Sequence, residues 1–174
     1  MTEWTSINID GVEPLVKGLS FGANTPPPPQ PVPVDEAAAK WGTRVEPFDL
    51  DRVEKILNSD GLATGRGQYI VVTEVQGRRM QIHHEPASCP WIQIEAVLPC
   101  HDSKAQADER CNEWNNTRMQ PTAFVVERGA TDDIVFATRF YVEHGLSDRQ
   151  LHTLLRRGIG VTLQAITAFE APAS

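Results

Sequence analysis

A run of alternating apolar and polar side chains at residues 91–99, WIQIEAVLP, restricts the possible folds more than any other part of the sequence. Its two alternating sets are Ile92, Ile94, Ala96 and Leu98 on one side, and Trp91, Gln93, Glu95 and Val97 on the other. Because successive side chains of a β-strand point to opposite faces, this pattern predicts a strand with one face against a core. Pro99 ends the strand, since proline cannot donate a ladder hydrogen bond.

Four further segments predict strands, at Tyr69–Val75, Arg78–Glu85, Thr122–Glu127 and Ile134–Val142. Gln76 and Gly77 form a turn between the first two of these, and a turn containing Gly129, Asp132 and Asp133 joins the last two. Connections of hairpin length make the neighbouring strands mostly antiparallel.

Capping signals predict helices before, between and after these strands. Asp49 caps the first helix, which ends at Gly61. The second helix begins at Asp102 or Ser103 and runs to about Asn116.

The last helix has the clearest start, a capping box made by Ser147 and Gln150. Its predicted core side chains are Leu151, Leu154, Leu155, Ile159 and Ile166. Gly158 and Gly160 weaken its middle by about 1 kcal/mol each relative to alanine, so that a kink or break can occur there. We place the cluster of Arg149, Arg156 and Arg157 on its solvated face, and His144 and His152 on the surface near its start.

The resulting order is α-β-β-β-α-β-β-α, which predicts an α+β fold with an antiparallel sheet and helices on one of its faces. A length of 174 residues is enough for one domain with an independent hydrophobic core. The sequence contains no internal repeat. We divide the chain into an apolar N-terminal arm at residues 1–24, a Pro-rich linker at 25–46 and a main domain at 47–171.

The linker contains TPPPPQPVPV at residues 25–34, which predicts an extended polyproline II spacer. The alternative interpretation of this stretch is a ligand for a groove lined with aromatic side chains. The preceding arm is too short to fold alone and too apolar to be a solvated tail, so we expect it to dock on the main domain or on a neighbouring chain.

Composition excludes several classes of function. The net charge of −7 opposes binding to nucleic acid, which requires a basic surface to replace phosphate counterions. No apolar stretch approaches the roughly 18 residues of a membrane span, and the first residues lack the pattern of a secretory signal. Three cysteines cannot all pair, so we expect a reducing, cytoplasmic environment.

Catalytic and metal-binding patterns are weak, and we predict no catalytic residue, no cofactor and no metal. Cys100 is the best candidate nucleophile, because it precedes His101 at a helix entrance, where the helix dipole lowers a thiol pKa. His83 and His84 point to opposite faces of a strand and match no zinc spacing. The stretch GLATGRG at residues 61–67 lacks the Lys-Ser step of a phosphate-binding loop, and we interpret it as a helix stop and loop.

The second face of the sheet is the candidate binding surface, because it mixes polar with exposed apolar residues, as association surfaces do. Its candidate protein-binding residues are Arg79, His83, Trp91, Gln93, Glu95, Arg139 and Tyr141. An ordinary exposed sheet face remains the alternative interpretation.

The stretch CNEWNNTRMQ at residues 111–120 is interpreted as a structural joint between a helix and a strand. Cys111 and Trp114 are three residues apart and share a helix face, where both can pack inward. The indole N–H of Trp114 needs an acceptor, and Asn115 or Asn116 can end the helix in the left-handed conformation.

The element NEWN at residues 112–115, followed by Arg118 and a strand, resembles the helix end typical of the YbjN family. The order of helices and strands over about residues 47–170 is also similar, and Asn112, Trp114 and Asn115 are the residues of the shared signature. The resemblance implies a fold like that of type III secretion chaperones, a homodimer, no established catalytic residues and a role as a sensory-transduction regulator.

The leading hypothesis is therefore a non-enzymatic regulatory module that binds another polypeptide or a second copy of itself. The alternative is a small redox sensor or enzyme that uses Cys100.

Overall fold

The computed structural model describes residues 39–85, 89–128 and 131–171. In chain order the elements are β1 (Val45–Glu46), α1 (Leu50–Ser59), β2 (Thr64–Arg66), β3 (Ile70–Val75), β4 (Arg78–His83), β5 (Trp91–Pro99), α2 (Lys104–Thr117), β6 (Thr122–Arg128), β7 (Thr131–Tyr141), β8 (Leu146–Ser147) and α3 (Asp148–Glu170). The predicted arm, the linker up to residue 38 and Gly129 lie outside the described residues.

Six strands form one antiparallel sheet in the order β2-β3-β4-β5-β7-β6. The α+β fold with an antiparallel sheet is thus confirmed. The prediction of a loop after α1 is wrong, because Thr64–Arg66 forms the short edge strand β2, paired with β3. The separate pair of β1 and β8 was not predicted.

The predicted helix starts are confirmed. The Asp49 side chain accepts a hydrogen bond from the backbone N–H of Arg52 at 2.8 Å. The Gln150 side chain closes the capping box by accepting from the backbone N–H of Ser147 at 2.8 Å. These bonds satisfy backbone donors that a helix start otherwise leaves unpaired.

The helix α3 packs against the middle of the sheet and is continuous from Asp148 to Glu170, with no break at its glycines. Its buried side chains share one core with those of α1 and with the inward faces of β4, β5 and β7. Gly158 lies so close to the sheet that a Cβ atom there would be 2.9 Å from Phe140 Cε2 and closer still to Ile94 Cδ1. Gly160 faces open space.

Residues from Trp41 onward, which the sequence division assigns to the linker, pack against the main domain. The Trp41 side chain is buried, and Val45 pairs with Ser147. The Arg52 side chain holds this region together, since it donates to Asp148 Oδ1 at 2.8 Å, to the Leu146 carbonyl at 2.7 Å and to the carbonyls of Glu46 and Pro47.

Two local predictions are wrong. Asp132 and Asp133 do not form a turn but lie within β7, opposite Glu127 and Val126. His152 is fully buried instead of solvated, and its Nε2 atom is 2.9 Å from Asp60 Oδ2. Within the described ranges, none of the helices combines the length and the apolar character needed to cross a membrane.

Candidate functional site

The open face is the sheet surface turned away from the shared core. Alternation along the strands places all seven candidate binding residues on this face. Trp91 is opposite Tyr141, Gln93 is opposite both Arg139 and His83, and Glu95 is opposite Ala137. Arg79 is opposite Glu74 towards the far end of β4.

Five of the seven line one shallow cavity of about 250 Å³, together with Glu85 and Cys89. They are His83, Trp91, Gln93, Glu95 and Arg139. Arg79 and Tyr141 do not line it.

A chain of hydrogen bonds orders the centre of this cavity. The Arg139 Nε atom donates to Gln93 Oε1 at 2.7 Å, and Gln93 Nε2 donates to Glu95 Oε2 at 2.8 Å. Gln93 thus links a cation and an anion that lie on different strands. The arrangement presents both charges to an approaching polar group.

His83, the last residue of β4, and His84, the residue after it, have different surroundings. His83 Nε2 is buried and has no hydrogen-bond partner among the described residues. His84 Nε2 is 3.0 Å from the Cys89 carbonyl oxygen, and its ring meets that of Phe48 edge-on. Over the part of the chain that the structure describes, no three His, Cys, Asp or Glu side chains gather as a metal site.

The structure adds two apolar residues that sequence reasoning missed, Met119 and Phe124. With Ala137 and Arg139 they line a second cavity of about 490 Å³ on the same side of the sheet. Met119 is 96 % exposed and Phe124 is 40 % exposed. The alternation of Ala123 and Val125 with Phe124 and Val126 could have indicated the second of these, but nothing in the sequence marks Met119.

Exposed large apolar side chains concentrate on this side of the molecule. Five large apolar side chains are exposed among the described residues, and four of them belong to or border the open face: Trp91, Met119, Phe124 and Tyr141. Val45, on β1, is the other. Isolated exposed apolar residues are ordinary, whereas a cluster on one face is typical of an association surface.

The open face carries acids and bases in similar numbers, although the whole chain carries −7. Three acids and three bases of its strands point to this face: Glu74, Glu95, Asp133, Arg79, Arg128 and Arg139. Glu85 at the cavity adds a fourth acid. Arg128 and Asp133 form an ion pair at 3.2 Å. The face therefore does not repel a second surface of the same composition.

The signature residues at 112–115 lie at the end of α2. The Trp114 indole N–H donates to the Pro121 carbonyl at 2.8 Å, and its ring meets Phe169 edge-on at 5.8 Å. Asn115 bonds both backbone groups of Ala123, at 2.8 and 2.9 Å. Asn112 is exposed. The predicted left-handed asparagine is wrong, because α2 continues to Thr117 and the residue after it, Arg118, has an extended conformation.

Cys111 is buried on α2, beside the signature. Burial, followed by the nearby Asp108 carboxylate, raises the pKa of its thiol from 9.0 to about 11. This thiol is therefore protonated at neutral pH and acts as an apolar side chain in the core.

Cys100 lies in a different cavity, of about 540 Å³, at the end of β5. His101, Arg78 and Arg110 also line it. The Cys100 thiol is 3.7 Å from the Asp102 carbonyl oxygen, which can accept a weak hydrogen bond but cannot remove the proton.

Comparison with known proteins identifies similar sequences and folds. The model of the YbjN family, described as "Putative bacterial sensory transduction regulator", matches residues 49–171. The crystal structure of YbjN from E. coli, named there a "putative transcription regulator", has a TM-score of 0.57 and 13% sequence identity, over 67% of this chain and 87% of that one. At this identity the likeness is one of fold.

An uncharacterized protein from Methanothermobacter thermautotrophicus gives a TM-score of 0.47 at 12% identity, over 70% of this chain and 96% of its own. No curated protein matches the chain.

Proposed function

The chain belongs to the YbjN family, and from this premise we propose that it is a non-catalytic regulatory module that binds a polypeptide through the open face of its sheet. The first partner that we propose is a second copy of the chain, in a homodimer like those of type III secretion chaperones. We expect this role to be performed in the cytoplasm.

The observation that carries the proposal is the clustering of exposed apolar side chains on one face. Trp91 and Tyr141 are cross-strand neighbours, with 43 % and 59 % of their surfaces exposed. Phe124 and Met119 continue the apolar surface across β7, on the other side of Arg139. Aromatic residues, methionine and arginine are the residue types enriched in protein interfaces.

Arg139 lies where the two cavities of the open face meet, because it lines both. A partner can therefore place an apolar side chain beside Phe124 and an acidic or amide group beside Arg139. In a symmetric dimer the acids and bases of the face allow each copy to offer the other both signs of charge.

The experiment is a comparison of two charge substitutions, Phe124→Lys and Val45→Lys. Both place a lysine on an exposed apolar strand residue, but only Phe124 belongs to the open face. Light scattering after size exclusion should give a dimer mass for the unaltered chain and for Val45→Lys, and a monomer mass for Phe124→Lys.

A monomeric unaltered chain at high micromolar concentration rules out the homodimer. The open face is then tested alone, by measuring hydrogen exchange of residues 91–97 and 135–141 with and without proteins retained by the immobilised chain. Exchange that stays unchanged on that face would refute the proposed binding surface.

The second candidate function is redox sensing by Cys100, which the cavity at the end of β5 favours because it makes room for a small oxidant or ligand beside the thiol. Alkylation at neutral pH tests it. A rate at Cys100 no faster than that of a free thiol would dispose of this candidate.

A further inference from the structure

The strand β6 forms one edge of the sheet, where another chain could add a strand. It is the last strand of the sheet and has a strand neighbour only on the side of β7. An unprotected edge of seven residues offers unpaired N–H and C=O groups to another chain. The opposite edge of the sheet, β2, has only three residues and offers little.

Asn115 occupies the first outward-facing peptide groups of β6. Its Nδ2 atom donates to the Ala123 carbonyl at 2.8 Å, and its Oδ1 atom accepts from the Ala123 N–H at 2.9 Å. A carboxamide has the same donor and acceptor as a peptide group, so this side chain makes the two bonds that a neighbouring strand would make.

The direction of the remaining edge groups follows from the same contact. Both backbone groups of Ala123 point away from β7, and in an antiparallel pair this orientation recurs at every second residue. Val125 and Glu127 therefore also point their backbone groups outward. With Ala123 occupied, a strand added along β6 loses the bonds at one of these three residues, and only the backbone groups of Val125 and Glu127 remain for it.

Neighbouring contacts hold Asn115 in place. The adjacent Trp114 donates to the Pro121 carbonyl, two residues before Ala123, and the first turn of α2 is tied to β6 by the ion pair of Lys104 with Glu127. The helix thus packs along β6 on the core side, where Ala107, Cys111 and Ala123 share the buried core, and the Asn115 side chain reaches from it to the outward backbone groups of the edge.

We propose that Asn115 is an edge guard, which prevents a second copy of this chain from adding its own β6 to the sheet. A copy of β6 is the strand with which association is expected, since each chain presents the same edge and antiparallel pairing is symmetric. This inference concerns the edge and does not require the open-face contact.

The test compares Asn115→Ala with Asn116→Ala. Asn116 is the next residue, is exposed and has the same side chain without the contact to Ala123. Light scattering over a concentration series should give Asn115→Ala a mass at least about twice that of the unaltered chain, because each symmetric contact joins two units. Asn116→Ala should keep the mass of the unaltered chain.

A second substitution shows whether the edge carries the association. Glu127→Pro removes an outward N–H without removing a bond to β7, and proline is tolerated on edges for this reason. Adding it to Asn115→Ala should restore the mass of the unaltered chain. Glu127→Pro also removes the ion pair with Lys104, so Glu127→Ala, added to Asn115→Ala in the same way, is its control and should leave the raised mass unchanged. Association that persists in the double variant with proline would overturn the proposal, because the contact would then lie elsewhere.

A purely structural role of Asn115 gives a different result. In that case the unfolding midpoint of Asn115→Ala falls while its folded mass stays that of the unaltered chain, and the edge-guard role is refuted. If Asn115→Ala does not fold, Asn115→Ser decides, since a single hydroxyl cannot make both bonds to Ala123 and the shorter side chain leaves the edge open. A folded Asn115→Ser with unchanged mass at all concentrations also overturns the proposal.

Discussion

The two glycines of α3 form a matched pair, because they lie two residues apart in one helix and differ in what surrounds them. A Cβ atom at Gly158 would be 2.9 Å from Phe140 Cε2 and closer still to Ile94 Cδ1, whereas at Gly160 it would meet nothing within 4 Å. We therefore expect Gly158→Ala to be less stable than Gly160→Ala.

The magnitude follows from two opposing effects. Each alanine gains about 0.5–1 kcal/mol of helix stability relative to glycine. Only Gly158→Ala forces an extra methyl group into a filled core, which costs about 1–3 kcal/mol. Because the helix gain is common to both variants, their difference in unfolding free energy should be the core term, about 1–3 kcal/mol.

Urea denaturation of both variants measures this difference directly. A third variant, Gly158→Ala with Ile94→Val, removes the Ile94 Cδ1 atom that the new methyl group would meet, so the two substitutions should cost less together than the sum of their separate costs. Equal unfolding free energies for Gly158→Ala and Gly160→Ala would refute the close packing of α3 on β5.

Three further outcomes are expected. Trp114→Phe should lose about 1–3 kcal/mol in urea denaturation, because the Pro121 carbonyl keeps its place but loses its donor. Arg52→Lys should lose at least about 1 kcal/mol by the same measurement, since lysine cannot reproduce the planar fork that reaches Asp148 and three carbonyls. Alkylation of Cys111 at pH 8 should be about 100-fold slower than that of a thiol of pKa 9.0, because a rise to about 11 lowers the thiolate fraction by that factor. The folded chain also holds the Cys111 proton more tightly than the unfolded chain does. The resulting contribution to the free energy of unfolding is complete below about pH 9 and is lost as the pH rises towards 11.

Signals within each segment of the sequence were sufficient to predict most of the helices and strands. The alternation in residues 91–99 determined which side of β5 faces the core, because a strand with one buried face leaves this pattern in its own sequence. The caps at Asp49 and Ser147 likewise act within one turn of their helices, so that the sequence contains both partners of each bond.

The errors concern residues whose conformation depends on distant partners. His152 is buried, and its Nε2 atom finds a hydrogen-bond partner in Asp60, 92 residues away in the sequence. Asp132 and Asp133 favour turns, yet β7 continues through them, where Asp133 pairs with Arg128 and the Asp132 carbonyl accepts from the Cys100 N–H. A sequence pattern cannot show that these partners will be present.

The location of the candidate residues in the fold could be predicted only in part, because it too depends partly on distant contacts. Trp91 and Arg139 come from strands whose alternation assigns them to one face, so their shared location could be anticipated. The hydrogen bond of Asn115 to Ala123 could not, because α2 and β6 meet at an angle that neither sequence segment specifies. The sequence predicted Asn115 near the end of a helix, and the structure shows that its side chain also bonds the backbone of the neighbouring strand β6.

An antiparallel sheet can associate in two ways, by adding a strand at an edge or by packing one face against a partner. In this chain α3 covers one face, β2 makes one edge short and Asn115 occupies the start of the other. If the edge is closed as we propose, the open face is the part of the sheet that remains for a partner. The two proposals are then physically compatible, since a partner bound through side chains on the face needs no unpaired backbone group of the edge.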